Sequence, residues 1–559
     1  MMRADNKDTG CDLCHRRGGG SNITNNATNT DKTKRLSTFR QKHSDELTMC
    51  SDNKSEHSGT DDDGETSQKD TQYQPLQGKK PANRRKYTWK SVAAQSFVTS
   101  AVMLSSASCG MPVGYSAILL PQLKYPNETL RIDDEIGSWI ASVHSAATPF
   151  GSLLSGVLMD RCGRKLALQI ASMPLIVGWI LIGLAPNHAI LLLGRLVAGL
   201  SAGLTAAAGQ VLIGEISEPH LRGMFSSVPF ASYSFGILLV YALGSLLPWR
   251  YVAGLSTVLP IMAITIFFFL PESPVWLVRH DKPDKARKAL LWLRGGNALQ
   301  ARLETEHLTE RVDLEKKHAS TTSSRHLFFR PEVIKPFIII NLFNLMQILS
   351  GTYIIVFYAV DILSHINGQS IDHFMAAVLT AAIRFVFSLI ASLLLALIGR
   401  RALAMTSGLG TTISALCLGT FLYPRDNCFG ASSNGYFAAL CVLLYVATNT
   451  VGFMILPGVM LGELFPAKVR GLAGGLTFMV FNFALFAMAK AFPFVKNEVG
   501  VHGVFWIFGG SSLVASVFLY LMLPETKGKS LTQIEDYFQQ GNVTWVARKR
   551  GEEEKTDDV

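Results

Sequence analysis

Two charged motifs of the same form stand at the ends of long apolar runs. Glu215 precedes Arg222 by the same number of residues as Glu463 precedes Arg470, with a Gly directly before each Glu and directly after each Arg. Charges at such positions persist either as ion pairs or as side chains that reach the aqueous interface. The repeated spacing favours ion pairs at two equivalent places in the fold, which is electrostatic rather than catalytic chemistry.

Arg384 is chemically unusual because it lies near the middle of the apolar run 374–398. An ionised Arg at the centre of a membrane costs from about 3 to more than about 10 kcal/mol unless it is compensated. The nearby acids Asp361, Asp372 and Glu463 lie toward the ends of their segments. Two interpretations stay open: the guanidinium bonds helix carbonyls or extends along a watery cavity, or it contacts the hydroxyl or carboxylate oxygens of a substrate.

Enzymatic motifs are weak in this sequence. Residues 199–203 match the nucleophile pattern G-x-S-x-G, but they lie inside an uninterrupted apolar run, which favours a helix-packing face. Residues 11–15 match the haem-attachment pattern C-x-x-C-H, which we interpret as chance in a polar tail. Eight Cys in 559 residues do not form a disulfide framework. We therefore predict no catalytic residue, no metal site, no cofactor and no enzyme.

The composition indicates a membrane protein. Hydrophobic residues make up 48% of the chain and charged residues only 17%, whereas ordinary soluble proteins carry roughly 25% charge. A chain with so few charged residues cannot cover its apolar surface with charge, so the composition excludes a wholly soluble protein and a wholly disordered one. Apolar runs recur at the length that crosses a hydrocarbon core of about 30 Å, and they must be helices. Twelve are predicted: 92–119, 136–158, 166–185, 189–212, 226–247, 251–270, 335–360, 374–398, 402–422, 436–462, 472–493 and 503–523.

The spans form two halves that repeat each other. Gly163-Arg164-Lys165 in the first half matches Gly399-Arg400-Arg401 in the second, and Pro271-Glu272-Ser273 matches Pro524-Glu525-Thr526. Repeated six-helix halves place a substrate site at their interface near the middle of the bilayer. The predicted domains are a disordered cytoplasmic tail at 1–88, halves at 89–270 and 335–523, a cytoplasmic linker with short helices at 271–334, and a cytoplasmic tail at 524–559.

The loops predict the orientation. Lys and Arg concentrate after spans two, eight and ten and in the long 271–334 segment, so these loops and both termini are expected to be cytoplasmic. Asn127 then falls outside, where its sequon can be glycosylated. The net charge of +10 is explained by this bias, so no nucleic-acid partner is indicated. We expect a multi-pass monomer in the plasma membrane.

Taken together, these motifs resemble the sugar-porter family of the major facilitator superfamily. The resemblance covers residues 90–540 and includes the repeats above, Gly194-Arg195, Gln347, Ser350-Gly351 and Glu463-Leu464-Phe465-Pro466. Residues 114–123 are similar to the insect facilitated trehalose transporter-like branch. The resemblance implies an all-α fold of twelve transmembrane helices. It also implies a cytoplasmic gate of ion pairs at helix ends, formed by Asp160, Arg161, Arg164, Arg195, Glu215, Arg222, Arg400, Arg401, Glu463 and Arg470.

Irregular helix segments predict where the cavity lies. Interruptions are expected at 110–114 in span one, at Ser350-Gly351 in span seven and at Pro457-Gly458 in span ten, because irregular backbone at membrane depth must face protein or water. The lining expected from the resemblance and from these positions consists of Gln347, Tyr353, Arg384, Asn482, Asn344 and Asn449.

This lining departs from the family pattern Q-Q-x-S-G-x-N. Ile348 replaces the second Gln, Tyr353 replaces the Asn, and the sugar-stacking Trp of span ten is absent from 454–458. Ser116 stands where symporting relatives carry an Asp. The absence of this acid predicts uniport, and the family resemblance favours a hexose or a trehalose-like disaccharide carried by alternating access. The altered lining favours the alternatives, which are transport of a small organic anion or other non-sugar solute, or a non-transporting sensor on the same fold.

Overall fold

The computed structural model describes residues 89–126, 128, 130–319, 330–367, 372–427, 435–465, 469–527, 534 and 537–538. All of them belong to the unit Arg85–Val559. The predictions for the tail 1–88, for Asn127 and for most of 524–559 lie outside the described residues.

The first half and the linker consist of helices joined by short loops. Seven helices make up the first half: α1 Trp89–Leu123, α2 Asp134–Cys162, α3 Arg164–Gly183, α4 His188–Ile216, α5 Pro219–Leu246, α6 Trp249–Ser256 and α7 Val258–Phe269. Three helices form the linker: α8 Pro274–Arg279, α9 Pro283–Leu293 and α10 Ala298–Ala319.

The second half contains shorter pieces, which mark its irregular segments. Its α-helices are α11 Pro331–Leu349, α12 Ile354–Phe357, α13 Ala359–Asn367, α14 His373–Leu397, α15 Arg400–Asn427, α16 Gly435–Asn449, α17 Leu456–Leu464 and α18 Arg470–Met522. A π-helix, Thr450–Met454, joins α16 to α17.

Within the described part of the chain, ten helical segments are long and apolar enough to cross a membrane. One of them, Leu472–Met522, holds two predicted spans that meet at Gly500, where φ is 69° and helical geometry is interrupted. The 29-residue helix α2 carries the remaining predicted span. The all-α membrane fold is therefore confirmed, and the predicted twelve spans correspond to these segments.

The glycines of the G-x-S-x-G motif serve close helix packing. A Cβ on Gly199 would lie 2.1 Å from the carbonyl oxygen of His144, and one on Gly203 would lie 2.1 Å from that of Thr148. Ser201 between them donates a hydrogen bond to the Ala171 carbonyl at 2.5 Å. α4 thus packs its backbone directly against α2, as the packing interpretation of this motif predicts.

The predicted interruptions are distributed differently in the two halves. α1 runs continuously through 110–114 despite Pro112, so the prediction of a break there is wrong. The break at Ser350-Gly351 is present, since α11 ends at Leu349. In span ten the irregular segment is the π-helix, which precedes Pro457 rather than coinciding with it.

The two halves meet along α2 with α18 and α5 with α14. We call the end of the bundle that holds Arg164 and Arg400 the charged end, and the other the opposite end. At the opposite end, apolar side chains of α1, α5 and α12 share one buried cluster. The Tyr241 hydroxyl donates to the Val356 carbonyl at 2.6 Å, and Lys490 Nζ donates to Ser138 Oγ at 2.7 Å. These contacts close the opposite end between the halves.

Candidate functional site

The break between α11 and α12 leaves main-chain carbonyls without their usual helical partners, which membrane depth makes costly. Each carbonyl from Leu349 to Thr352 nevertheless accepts a hydrogen bond. The four donors, in chain order of the acceptors, are Ser511 Oγ at 2.9 Å, the Tyr445 hydroxyl, Ile355 N at 3.1 Å and Arg384 Nη2 at 3.1 Å. Side chains from three other helices therefore hold this break in one shape.

Gly351 is required at the centre of the break. Its φ of 82° lies in the left-handed region, which side chains other than Gly rarely adopt. A Cβ here would lie 2.4 Å from the Phe508 ring and 2.7 Å from the Tyr445 hydroxyl oxygen. Both the backbone conformation and the surrounding packing thus exclude a larger residue.

A small polar network surrounds the break. Ser350 Oγ donates to the Gln347 carbonyl at 2.7 Å and lies 3.0 Å from Thr352 Oγ1, and Asn449 Nδ2 donates to Ser350 Oγ at 3.3 Å. Gln347 and Asn449 are each only 1% exposed. Gln347 Nε2 and Asn449 Oδ1 have no hydrogen-bond partner among the described residues. One buried donor and one buried acceptor are therefore available to a ligand.

The other predicted lining residues are arranged less uniformly. The Tyr353 ring meets the Phe481 ring edge-on at 5.4 Å, which brings α18 to the break next to Asn482. Asn482 Nδ2 donates to the Phe478 carbonyl of its own helix at 2.8 Å. Asn344 is buried within α11, before Gln347. Gln347, Tyr353, Arg384 and Asn449 thus gather around the break, whereas Asn482 Nδ2 donates to a carbonyl of its own helix.

Arg384 is 3% exposed and forms no ion pair with a described carboxylate. Besides the Thr352 carbonyl, its guanidinium reaches Met454 Sδ at 3.3 Å. Of the two interpretations that the sequence left open, this geometry corresponds to an Arg that bonds a main-chain carbonyl. The sequence signal for Thr352 as its partner was only the adjacent helix-breaking Ser-Gly pair.

At the charged end, the first half carries a compact ion cluster. Arg164 Nη2 lies 3.0 Å from Glu215 Oε1, and Ser273 Oγ donates to the other oxygen of Glu215. Glu272 Oε1 accepts from the main-chain N–H groups of Arg164 and Lys165 at 2.9 and 3.1 Å. The first turn of α3 is thereby capped by a carboxylate from beyond α7, a favourable arrangement at a helix N-terminus.

The second half repeats this cluster. Arg400 Nη2 lies 2.8 Å from Glu463 Oε1, and Thr526 Oγ1 donates to Glu463 Oε2 at 2.5 Å. Glu525 accepts from the main-chain N–H groups of Arg400 and Arg401 at 3.0 and 3.1 Å. The capping role of Glu272 and Glu525 was not predicted, although the paired P-E-S and P-E-T motifs were its sequence signal.

Tight glycines precede both capped helices. A Cβ on Gly163 would lie 2.4 Å from a Glu272 carboxylate oxygen, and one on Gly399 would lie 2.3 Å from that of Glu525. The carboxylates can therefore reach the helix N-termini only because these positions lack side chains.

The remaining predicted gate residues are peripheral to these clusters. Asp160 is exposed and lies 3.8 Å from Arg164, while Arg161 is exposed. Arg222 is also exposed and donates to the Ser217 carbonyl at 3.4 Å. The Arg401 guanidinium lies over the Tyr520 ring, 4.8 Å from its centroid. The Arg470 side chain is outside the described residues.

Arg195 does not belong to the charged end. It lies in the same helix as Glu215 but twenty residues earlier, which is about 30 Å along α4. It is fully buried and donates to the Pro112 carbonyl, to Ser116 Oγ and, at 3.1 Å, to the Ile140 carbonyl. The prediction that it joins the gate cluster is wrong, because position in the span and not charge alone decides which end a residue reaches.

Comparisons with known proteins identify the family to which this sequence is similar. The model of the family "Sugar (and other) transporter" matches residues 67–538. The facilitated trehalose transporter Tret1 of Anopheles gambiae is 32% identical over 82% of this chain, which spans 57% of that relative's length. Tret1 of Culex quinquefasciatus is 32% identical over 80% of this chain and 86% of that relative's length.

A solved structure shows the same fold. The proton:xylose symporter XylE of the major facilitator superfamily, bound to 6-bromo-6-deoxy-D-glucose, superposes with a TM-score of 0.67 at 20% identity. The match covers 80% of this chain and 100% of XylE. The repeated clusters, the broken helix of the second half and these matches together lead to one conclusion: the chain belongs to the sugar (and other) transporter family, a family of multi-pass membrane transporters and not of enzymes.

Proposed function

We propose that this protein is a facilitative transporter of a neutral sugar, a hexose or a trehalose-like disaccharide. The observation that carries the proposal is the pair of unpartnered buried atoms beside the break, Gln347 Nε2 and Asn449 Oδ1. A buried polar atom without a partner is costly, and a sugar hydroxyl can accept from the first and donate to the second. The trehalose transporters named above support the substrate class.

Transport by alternating access is supported by how the polar contacts are divided. The Arg164–Glu215 and Arg400–Glu463 pairs each lie within one half, so they hold neighbouring helix ends together inside a half. The Tyr241–Val356 and Lys490–Ser138 contacts join the two halves at the opposite end. Rocking of the halves about the break would separate these contacts between the halves and expose the site at the opposite end.

Uniport is supported by Ser116. Arg195 donates to its hydroxyl, at the position where symporting relatives carry an Asp. A Ser hydroxyl does not titrate in the physiological range, so this position cannot exchange a proton in each cycle. We therefore propose transport down the gradient of the substrate without a coupled proton.

The location of the protein is part of the proposal. Lys and Arg in the loops at the charged end support cytoplasmic termini, and we propose the plasma membrane as the location. Asn127 would then face outward, and we expect Asn127→Gln to remove a glycan, seen as a faster band on a gel that enzymatic deglycosylation of the wild type reproduces.

Transport of a small organic anion is the second candidate. The observation that favours it is the buried Arg384 charge, which has no described acid partner. Against it stands the guanidinium contact with the Thr352 carbonyl, which already uses part of its hydrogen-bonding capacity.

Uptake into liposomes of labelled trehalose, glucose, acetate and lactate distinguishes the candidates. Gln347→Leu and Asn449→Leu should each lower sugar uptake about 10-fold or more, because each removes a hydrogen bond to a hydroxyl and leaves that hydroxyl unpaired. Gln169→Leu is the matched control, since Gln169 is also buried with an unpartnered Nε2 but lies on α3. Carboxylate uptake without sugar uptake in the wild type would overturn the proposal.

A further inference from the structure

We propose that Arg384 is a positioning residue, which shapes the substrate site through the break in span seven and does not pair with the substrate. This inference rests on the proposed function, because it assumes that the substrate binds beside Gln347 and Asn449. It starts from the contact of Arg384 Nη2 with the Thr352 carbonyl at 3.1 Å.

The charge of Arg384 has a structural counterpart in the broken helix. α11 ends at Leu349, and the C-terminus of a helix carries a partial negative charge from its aligned carbonyls. The Thr352 carbonyl lies three residues beyond that end and points an additional oxygen at the guanidinium. Broken membrane helices use such carbonyls and helix ends to hold cations. Here the guanidinium of Arg384 takes the place of such a bound cation.

A chain of contacts connects Arg384 to the atoms offered to the substrate. The guanidinium fixes the Thr352 carbonyl, and Thr352 Oγ1 lies 3.0 Å from Ser350 Oγ. Ser350 Oγ in turn accepts from Asn449 Nδ2 and donates to the Gln347 carbonyl. With these contacts made, Asn449 Oδ1 is left free in a defined direction. Loss of the Arg384 contact would release Thr352 and, through Ser350, the orientation of Asn449.

The other contacts of the break cannot replace Arg384. Ser511 and Tyr445 act on the Leu349 and Ser350 carbonyls, upstream of Gly351. Thr352 lies on the other side of Gly351, whose positive φ turns the chain. Arg384 is thus the side chain that holds the Thr352 carbonyl among the described residues.

The test is chemical rescue of a truncated Arg. Arg384→Ala should lower sugar uptake about 10- to 100-fold, the effect of losing a hydrogen bond to a charged group. Millimolar guanidinium chloride should restore part of that uptake, and Arg384→Lys should retain part of it without guanidinium. Arg384→Gln, which restores a donor but no charge, should remain impaired. Met454→Leu is the control, since it removes the Sδ contact and leaves the Thr352 contact in place.

A second readout needs no substrate. The melting temperature of purified Arg384→Ala in detergent should rise with millimolar guanidinium, whereas that of the wild type should not. If the wild type carries no sugar, the proposed function fails while this measurement still reports on the break. If Arg384→Gln takes up sugar at the wild-type rate, the positioning role is wrong. The role is also wrong if this variant loses carboxylate uptake but keeps the melting temperature of the wild type, because Arg384 would then be a counter-charge for the substrate.

Discussion

Gly351→Ala is the substitution for which the structure gives the clearest expected cost. Gly351 has φ of 82°, and its missing Cβ would lie 2.4 Å from the Phe508 ring. A residue with a side chain in the left-handed region is strained by about 1–2 kcal/mol. Forcing a methyl group into a well-packed site costs about 1–3 kcal/mol more. The expected destabilisation is therefore about 2–5 kcal/mol.

Part of this cost can be relieved by movement, and that movement affects function. The Phe508 ring and the Tyr445 hydroxyl would have to withdraw from the break. Withdrawal of Tyr445 would remove the donor from the Ser350 carbonyl and so disturb the site beside Gln347 and Asn449. We expect sugar uptake by Gly351→Ala to fall by at least about 10-fold, the factor that corresponds to about 1.4 kcal/mol.

The assay combines denaturant titration of purified protein in detergent with uptake into liposomes. Gly156→Ala is the matched control, because Gly156 lies within helix α2 and a Cβ there meets nothing within 4 Å. That control should retain wild-type uptake and should not lose stability, since Ala is the better helix former. Equal stability of Gly351→Ala and the wild type would refute the reasoning on strain and packing.

Three other predictions, on flux, on closure of the opposite end and on proton coupling, test the proposed cycle. Glu463→Ala should reduce flux while surface expression stays near wild type, since it leaves Arg400 without its partner at the charged end; unchanged flux would contradict a gating role. Tyr241→Phe removes the hydroxyl that joins the halves and should increase the labelling of cysteines introduced near the opposite end. Tyr358→Phe is the control, because the hydroxyl of Tyr358 bonds within the second half, and this variant should leave the labelling unchanged. Uptake by the wild type should be insensitive to a protonophore. Accumulation of substrate against its gradient, if the protonophore abolishes that accumulation, would exclude uniport. If uptake by Ser116→Asp becomes proton-dependent, position 116 is where the acid of symporters is missing.

Features with a strong local signal were predictable from the sequence. The helical spans follow from the length of the apolar runs, because the hydrocarbon core leaves the backbone no other way to satisfy its polar groups. Arg164 and Arg400 were identified by a repeat that duplicates both spacing and residue type. The break at Ser350-Gly351 also has a local cause, since residues other than Gly rarely adopt the φ found at position 351.

Partners across helices could not be predicted in the same way. Sequence spacing does not show that Glu272 caps α3 or that Arg195 reaches Pro112, since both contacts depend on how separate helices are placed side by side. The expected break at 110–114 was wrong for a related reason: the helix continues through Pro112, and neighbouring helices can satisfy the groups that a Pro frees.

Arg384 shows where the two kinds of information divide. Its residue type and its place in an apolar run already demanded compensation, because an ionised side chain at membrane depth is costly unless it is paired or hydrated. Which group provides the compensation was open between a substrate and a carbonyl. Only the tertiary structure, which brings Arg384 of α14 to the break between α11 and α12, placed the Thr352 oxygen 3.1 Å from the guanidinium. The sequence determined that the charge needs a partner, and packing between distant segments decided which one it has.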